Sequence, residues 1–202
     1  MIEVEIKVRI SNPDIIRKKL EEHNGIYKTS LIHEDTYFNM PKGLRDFKKT
    51  DEALRIRKSI EFNKHNKDLD QKINYFITYK GKKIDSLTKS REEIDIKINS
   101  LEKMKILLKE LGFQEILAVK KERELYEFYF QKYQIEILID YLPILKQHFM
   151  EIEYLSGSEN EIGEIRQALF DFLKVFGIDK KESIRKSYLE LIADKFENKL
   201  KI

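Results

Sequence analysis

The chain contains no cysteine. That excludes disulfide staples, thiol catalysis and cysteine-based zinc sites. No apolar run approaches the ~20 residues that a membrane-spanning helix needs, so no membrane partner is expected. No sign of charge dominates: 39 Lys and Arg face 36 Asp and Glu, a net charge of +3. A general nucleic-acid binder shows a lopsided balance, and duplex nucleic acid is not an expected partner. A strand pattern starts at the first residues and leaves no room for a signal peptide, so the expected compartment is the cytoplasm. Histidine is scarce, with four in all. His65 has no second histidine or acid at ligand spacing and reads as a solvated loop residue.

What is present is charge in quantity: 37% of the 202 residues are charged and 41% are apolar. The charged share is well above the usual quarter, while the length suits one domain, residues 1–202, with a real core. The organising stretch is the N-terminus. Ile2, Val4, Ile6, Val8 and Ile10 alternate with Glu3, Glu5, Lys7 and Arg9. A period of two marks a β-strand with one face against a core and the other face ionic.

Later segments repeat this arrangement. Strands are expected at 32–38, 53–57, 75–80, 91–98, 116–126, 135–140 and 149–154, and a polar loop or hairpin tip at 61–74. Helices are expected after Asn12-Pro13, from Ser100 to a stop at Gly112, from a capping box at Ser158–Glu161 to Gly177, and over about 183–196. The pattern is about eight strands and four helices, with a strand–helix–strands plan repeated in each half.

The ionic faces collect acids at Glu3, Glu5, Asp140, Glu151 and Glu153, and bases at Lys7, Arg55, Arg57, Lys80, Arg91, Lys121 and Arg123. For one strand, the ordinary reading is a solvated outer face. For the whole set, four amphipathic helices are available to cover the apolar faces, which leaves the ionic faces either open to water or rolled inward. A closed sheet of about eight strands encloses space for side chains or one small ligand. A lumen lined by cations suits a polyanion such as a triphosphate, gripped by charge-assisted hydrogen bonds. Clustered carboxylates suit a hard divalent cation, Mg²⁺ or Mn²⁺. The expected fold is therefore α+β: a closed antiparallel β-barrel forming a tunnel, with helices packed outside.

The Glu3-x-Glu5-x-Lys7 start resembles the hallmark of the CYTH superfamily, the triphosphate tunnel metalloenzymes. Seven further blocks extend the resemblance: His33–Phe38, Ala53–Arg57, Thr78–Gly81, Lys89–Glu93, Lys121–Arg123, Phe149–Glu153 and Ser187–Leu191. Their order and spacing are similar to those of the class IV adenylyl cyclase-like branch. The resemblance implies that Glu3, Glu5, Asp140, Glu151 and Glu153 hold divalent metal. It implies that Lys7, Arg55 or Arg57, Lys80, Lys121 and Arg123 grip the triphosphate; Arg91 joins them on strand parity. Glu3, Glu5, Lys7 and Glu153 form the expected catalytic set.

The implied activity converts ATP to cyclic AMP and pyrophosphate. The alternatives are a tripolyphosphatase or thiamine triphosphatase releasing orthophosphate, and a non-catalytic polyphosphate or RNA-end binding module. The expected ligand is thus a nucleoside triphosphate or inorganic triphosphate, and the resemblance leans towards a homodimer. One departure bears on nucleoside recognition: Tyr141–His148 lacks the glycine-containing turn of cyclase-like relatives. His148 there is either a contact to the base or a surface residue.

Overall fold

In the computed structural model, which describes residues 1–66 and 70–199, eight strands close into an antiparallel barrel. The elements run β1 (Ile2–Ile10), α1 (Pro13–Glu22), β2 (Ile26–Asn39), α2 (Phe47–Thr50), β3 (Ala53–Phe62), β4 (Lys72–Lys80) and β5 (Arg91–Ile98). They continue with α3 (Leu101–Glu110), β6 (Gln114–Phe130), β7 (Tyr133–Leu142), β8 (Gln147–Ser156), α4 (Ile162–Val175) and α5 (Tyr188–Lys199). Around the barrel the order is β1-β5-β4-β3-β2-β6-β7-β8. Exchanging β1–β4 for β5–β8 leaves that circular order unchanged, so the two halves are topologically equivalent about a pseudo-twofold axis. No described helix is long and apolar enough to cross a membrane.

The barrel is polar inside and apolar outside along β1, β7 and β8. Val4, Ile6 and Val8 of β1, Ile135 and Ile137 of β7, and Ile152 of β8 pack outward against Leu169, Phe172 and Leu173 of α4. Burying such side chains under a helix is worth about 1.5–3 kcal/mol each, an upper figure because unfolded chains already bury some of that surface. α3 covers β3 through Leu108 against Leu54 and Ile56. A third cluster joins Val119, Leu142 and Phe149 to Tyr188 and Ile192 of α5. Those three strand residues share parity with the ionic residues Lys121, Asp140 and Glu151, so α5 stops one end of the tunnel.

Local chemistry sets the helix ends. The Asn12 side chain accepts from the Asp14 N–H at 3.0 Å, with Pro13 opening α1. Ser100 caps α3, and Gly112 (φ +83°) ends it in the left-handed region that only glycine adopts without cost. The capping box expected at Ser158 and Glu161 does not form. Ser158 caps a single 3-10 turn instead, and the Glu161 carboxylate accepts from the Ser156 hydroxyl at 3.1 Å. α5 starts at Tyr188, not near Ser183, because residues 180–182 close a separate 3-10 turn with its own capping box. The expected loop over 61–74 shrinks, because β3 and β4 pair as far as Glu61 and Lys72; part of it, residues 67–69, lies outside the described residues. β2 and β6 outrun their expected limits because their mutual pairing extends from Ile26 to Asn39.

Candidate active site in the barrel tunnel

The register of β1 against β8 creates the first feature. Glu5 stands directly opposite Glu153, and Glu3 lies two residues along the same face. Carboxylate oxygens of Glu3, Glu5 and Glu153 all lie within 4.8 Å of one another. Like charges directly opposite each other destabilise a sheet pair, so this arrangement is costly by itself. The cost shows in the acidities. Burial, then the negative charges of Glu3 and Glu5, pushes the Glu153 carboxyl well above its ordinary range. Burial, then Glu151, raises Glu5. Three convergent oxygen donors whose mutual repulsion a cation would relieve fit a hard divalent ion.

Cations face this cluster. Lys80 reaches Glu3 at 3.0 Å and Glu93 at 2.5 Å, and Lys89 bonds Glu5. Across the tunnel, Arg57 forks onto Asp35 at 2.6 and 2.7 Å, and Arg55 bridges Asp35 at 3.5 Å and Glu93 at 3.3 Å. Burial opposes ionisation of Asp35, but Arg57 and Arg55 override it and hold the carboxyl far below its ordinary range. Glu93 is held down to about 2 by Lys80 and Arg55 against the same burial. Arg91 is buried beside Gly81, donating to its carbonyl at 3.3 Å. Burial, then the adjacent Arg123, lowers Lys121 to about 8.

Acids and bases meet around one cavity of about 1410 Å³, lined by Glu3, Glu5, Glu151 and Glu153 and by Arg55, Arg57, Lys80, Lys89, Arg91, Lys121 and Arg123. Two sequence-predicted residues stand outside that lining. Asp140 is wholly buried, receives both arms of Arg123 at 2.6 Å and accepts from the Tyr188 hydroxyl at 2.8 Å. Lys7 is also wholly buried, 3.1 Å from Glu151, with its ammonium 3.8 Å from the Tyr188 ring centroid. Burial, then Lys89, lowers Lys7 to about 7. Glu151 lines the cavity but is taken up by Lys7, Lys89 and Arg123. Of the five acids assigned to metal, the structure therefore brings three into one cluster and places Asp140 and Glu151 among cations. His148 packs on Tyr141, ring centroids 4.7 Å apart, and is not among the cavity residues.

Lys89, Asp35, Glu93, Tyr188 and His33 fall inside the blocks that carry the family resemblance, but sequence reading gives none of them a role in the site. Parity could have found Asp35 and Glu93, which share faces with Tyr37 and Arg91. Lys89 precedes β5 in an irregular stretch where no alternation exists, and Tyr188 reads as part of a helical apolar stripe. His33 is buried among Arg57, Lys121 and Arg123, with its Nδ1 lacking a hydrogen-bond partner.

The CYTH domain family matches residues 1–188. MJ0240 of Methanocaldococcus jannaschii, which carries the provisional name adenylate cyclase, is 41% identical over 192 residues, covering 95% of this chain and 98% of that one. The PH1819 protein of Pyrococcus horikoshii superimposes with a TM-score of 0.79 at 40% identity, over 96% of this chain and 99% of that one. A Hippeastrum protein named as an adenylyl cyclase, and described as having a dominant triphosphatase activity, shares the fold at 16% identity, with a TM-score of 0.62 and 96% of each chain covered. Barrel, ionic lining and near full-length match agree: the chain belongs to the CYTH domain family.

Proposed function

We propose that this protein is a divalent-metal-dependent enzyme that takes a triphosphate into its tunnel and converts ATP to cyclic AMP and pyrophosphate. The observation that carries the reading is the three-carboxylate cluster of Glu3, Glu5 and Glu153 set against a wall of lysines and arginines in one cavity. A metal–triphosphate complex would relieve the repulsion within the carboxylate cluster and bring phosphate oxygens to the bases. The cyclase assignment is supported by the provisional name of the 41% identical relative.

Glu3, Glu5 and Glu153 would hold Mg²⁺ or Mn²⁺, which when bound spreads the negative charge on the attacking and leaving oxygens. Arg55, Arg57, Lys80, Arg91, Lys121 and Arg123 would bind the phosphate oxygens, forming charge-assisted hydrogen bonds as the present internal ion pairs open. Asp140 and Glu151 orient Arg123, and Lys7 behind them keeps Glu151 in place. In the reaction the ribose 3′-oxygen bonds to the α-phosphorus, the bond to the bridging oxygen breaks, and pyrophosphate leaves with release of one proton.

The second reading is a triphosphatase in which water attacks the terminal phosphorus of the same bound chain. The Hippeastrum protein favours keeping it, because there the same fold works mainly as a triphosphatase. Purified protein incubated with ATP and Mg²⁺ or Mn²⁺ should yield cyclic AMP, and excess chelator should stop it. Orthophosphate from tripolyphosphate or thiamine triphosphate without cyclic AMP from ATP would replace the first reading by the second. Metal-independent binding without turnover of any triphosphate would remove both and leave a binding module.

A further inference from the structure

One cation reaches the carboxylate cluster from outside the strands. Lys89 belongs to residues 81–90, which join β4 to β5, and its ammonium bonds Glu5 and stands 3.5 Å from Glu151. Glu5 belongs to the three-carboxylate cluster, whereas Glu151 is also held by Lys7 and Arg123. Lys89 therefore stands where the acidic and basic parts of the cavity meet. Burial opposes the charge on its ammonium, but Glu5 and then Glu151 override burial and hold Lys89 above its ordinary range.

The backbone beneath Lys89 is fixed. Its N–H donates to the Glu5 carbonyl at 3.0 Å, which docks it on β1. The Asp85 carboxylate accepts from the N–H groups of Leu87 and Thr88 at 2.8 Å each and pairs with Arg166 of α4. Arg185 donates to the Asp85 carbonyl at 2.8 Å and the Thr88 carbonyl at 3.3 Å, and the buried hydroxyls of Thr88 and Ser90 lie 2.6 Å apart. These contacts hold both neighbours of Lys89, so the part left able to turn is its flexible four-carbon stem. An ammonium and a divalent cation both draw on the charge of Glu5 and repel each other across it. Arg55, Lys80 and Arg91 line the same cavity as Lys89, within the wall assigned to phosphate oxygens.

Resting on the metal–triphosphate reading above, we propose that Lys89 and the divalent cation hold Glu5 in turn: metal binding at the cluster releases the Lys89 ammonium, which then bonds phosphate oxygens of the triphosphate. Each ligand thereby promotes the binding of the other, and linkage makes the promotion reciprocal. The opposite arrangement keeps Lys89 on one Glu5 oxygen, orienting the other towards the ion as an outer hydrogen bond orients a metal ligand. The two differ in sign.

Mn²⁺ binding without any phosphate compound, followed by electron paramagnetic resonance of the free ion, reads that sign. Lys89→Met, which replaces the ammonium by an uncharged chain of similar length, should bind Mn²⁺ about tenfold more tightly than wild type. With Mn²⁺ saturating, the same variant should bind methylene-bridged tripolyphosphate, which does not hydrolyse, about tenfold more weakly by calorimetry. Lys121→Met, whose ammonium faces Asp140 at 3.5 Å, should weaken the tripolyphosphate analogue without tightening Mn²⁺. Unchanged or weaker Mn²⁺ binding by Lys89→Met overturns the inference while wild-type binding leaves the metal reading standing; equal tightening by Lys121→Met overturns it too, as an effect of net charge alone. No Mn²⁺ bound by wild type or either variant, with or without the analogue, removes the metal reading and the inference with it. Circular dichroism checks that the variants fold. Should Lys89→Met not fold, reductive methylation of the wild-type chain decides, read at each lysine by mass spectrometry. Mg²⁺ should raise modification of Lys89 severalfold as its ion pair opens, and the analogue should then protect it. Modification indifferent to Mg²⁺ overturns the inference.

Discussion

β1 and β5 are equivalent under the pseudo-twofold axis, and their sequences echo each other. Glu3-Val4-Glu5-Ile6-Lys7 returns as Glu93-Ile94-Asp95-Ile96-Lys97. The structure gives the two copies opposite fates. In β1 both faces are buried, the isoleucine and valine side under α4 and the ionic side in the tunnel against β8. In β5 no described helix buries the isoleucine side, and Asp95 reaches the cavity rim, where it accepts from the Thr78 hydroxyl. An alternating pattern therefore specifies a two-faced strand but not what covers either face. In this protein, one copy of the motif forms part of the carboxylate cluster and the other stands at the cavity rim.

The largest effect that would test this contrast is chemical. Glu5→Gln should lower metal-dependent turnover by at least about a hundredfold, since an amide cannot replace the anionic oxygen in the cluster. Its β5 counterpart, Asp95→Asn, should change turnover far less, and equal losses in a steady-state assay would erase the distinction. Next in size is Arg123→Ala, expected to cost about 3–5 kcal/mol in denaturant unfolding, because the buried Asp140 would lose both arms of its guanidinium partner and keep only Lys121 at 3.5 Å and the Tyr188 hydroxyl at 2.8 Å. As one of the proposed phosphate-binding residues Arg123 should also lose triphosphate affinity, so the variant combines a binding loss with a folding penalty. A variant as stable as wild type would show that the Asp140 pairing is not structural.

Core truncation should reproduce the contrast on a smaller scale. Ile6→Ala, beneath α4 and 1% exposed, should cost about 2–5 kcal/mol, whereas Ile96→Ala in dilute protein should stay within about 0.5 kcal/mol. Similar values for both would mean that the β5 face is covered.

The smallest expected effects are in pH dependence, and the two sides of the tunnel differ in sign. Glu93 and Asp35 have depressed folded values, so their stabilisation is complete above the ordinary carboxylate range and is lost as pH falls towards 2. Glu5 and Glu153 have raised folded values, so metal-free protein should lose stability as pH rises through them, because the folded state then gives up protons it held more tightly. Melting temperatures against pH, with and without Mg²⁺, should show the second limb flattened by the metal. An unchanged limb would count against metal binding at these three carboxylates.

Much of the barrel was legible because period-two alternation is a local property. It identified the strand cores and placed Glu3, Glu5, Arg55, Arg57, Lys80, Arg91, Arg123 and Glu153 on ionic faces, and all of these line the cavity. The same rule could not rank acids within the face. Asp140 and Glu151 share the parity of the cluster residues, yet they hold Arg123 and Lys7, because which carboxylate meets which cation depends on register between strands far apart in sequence. The role of Lys89 escaped parity for a related reason: it enters the tunnel from an irregular segment, and its ion pair with Glu5 spans 84 residues.

By itself the sequence determined that this chain builds two-faced strands, where α1 and α3 start, and which charges share a side, since these follow from backbone geometry over a few residues. Only the tertiary structure decided that the charged sides turn inward, that three carboxylates converge while two others are neutralised, and that β1 is buried on both faces while its twin β5 is not. Those outcomes depend on barrel closure and strand register, which set distances between residues that no local pattern relates.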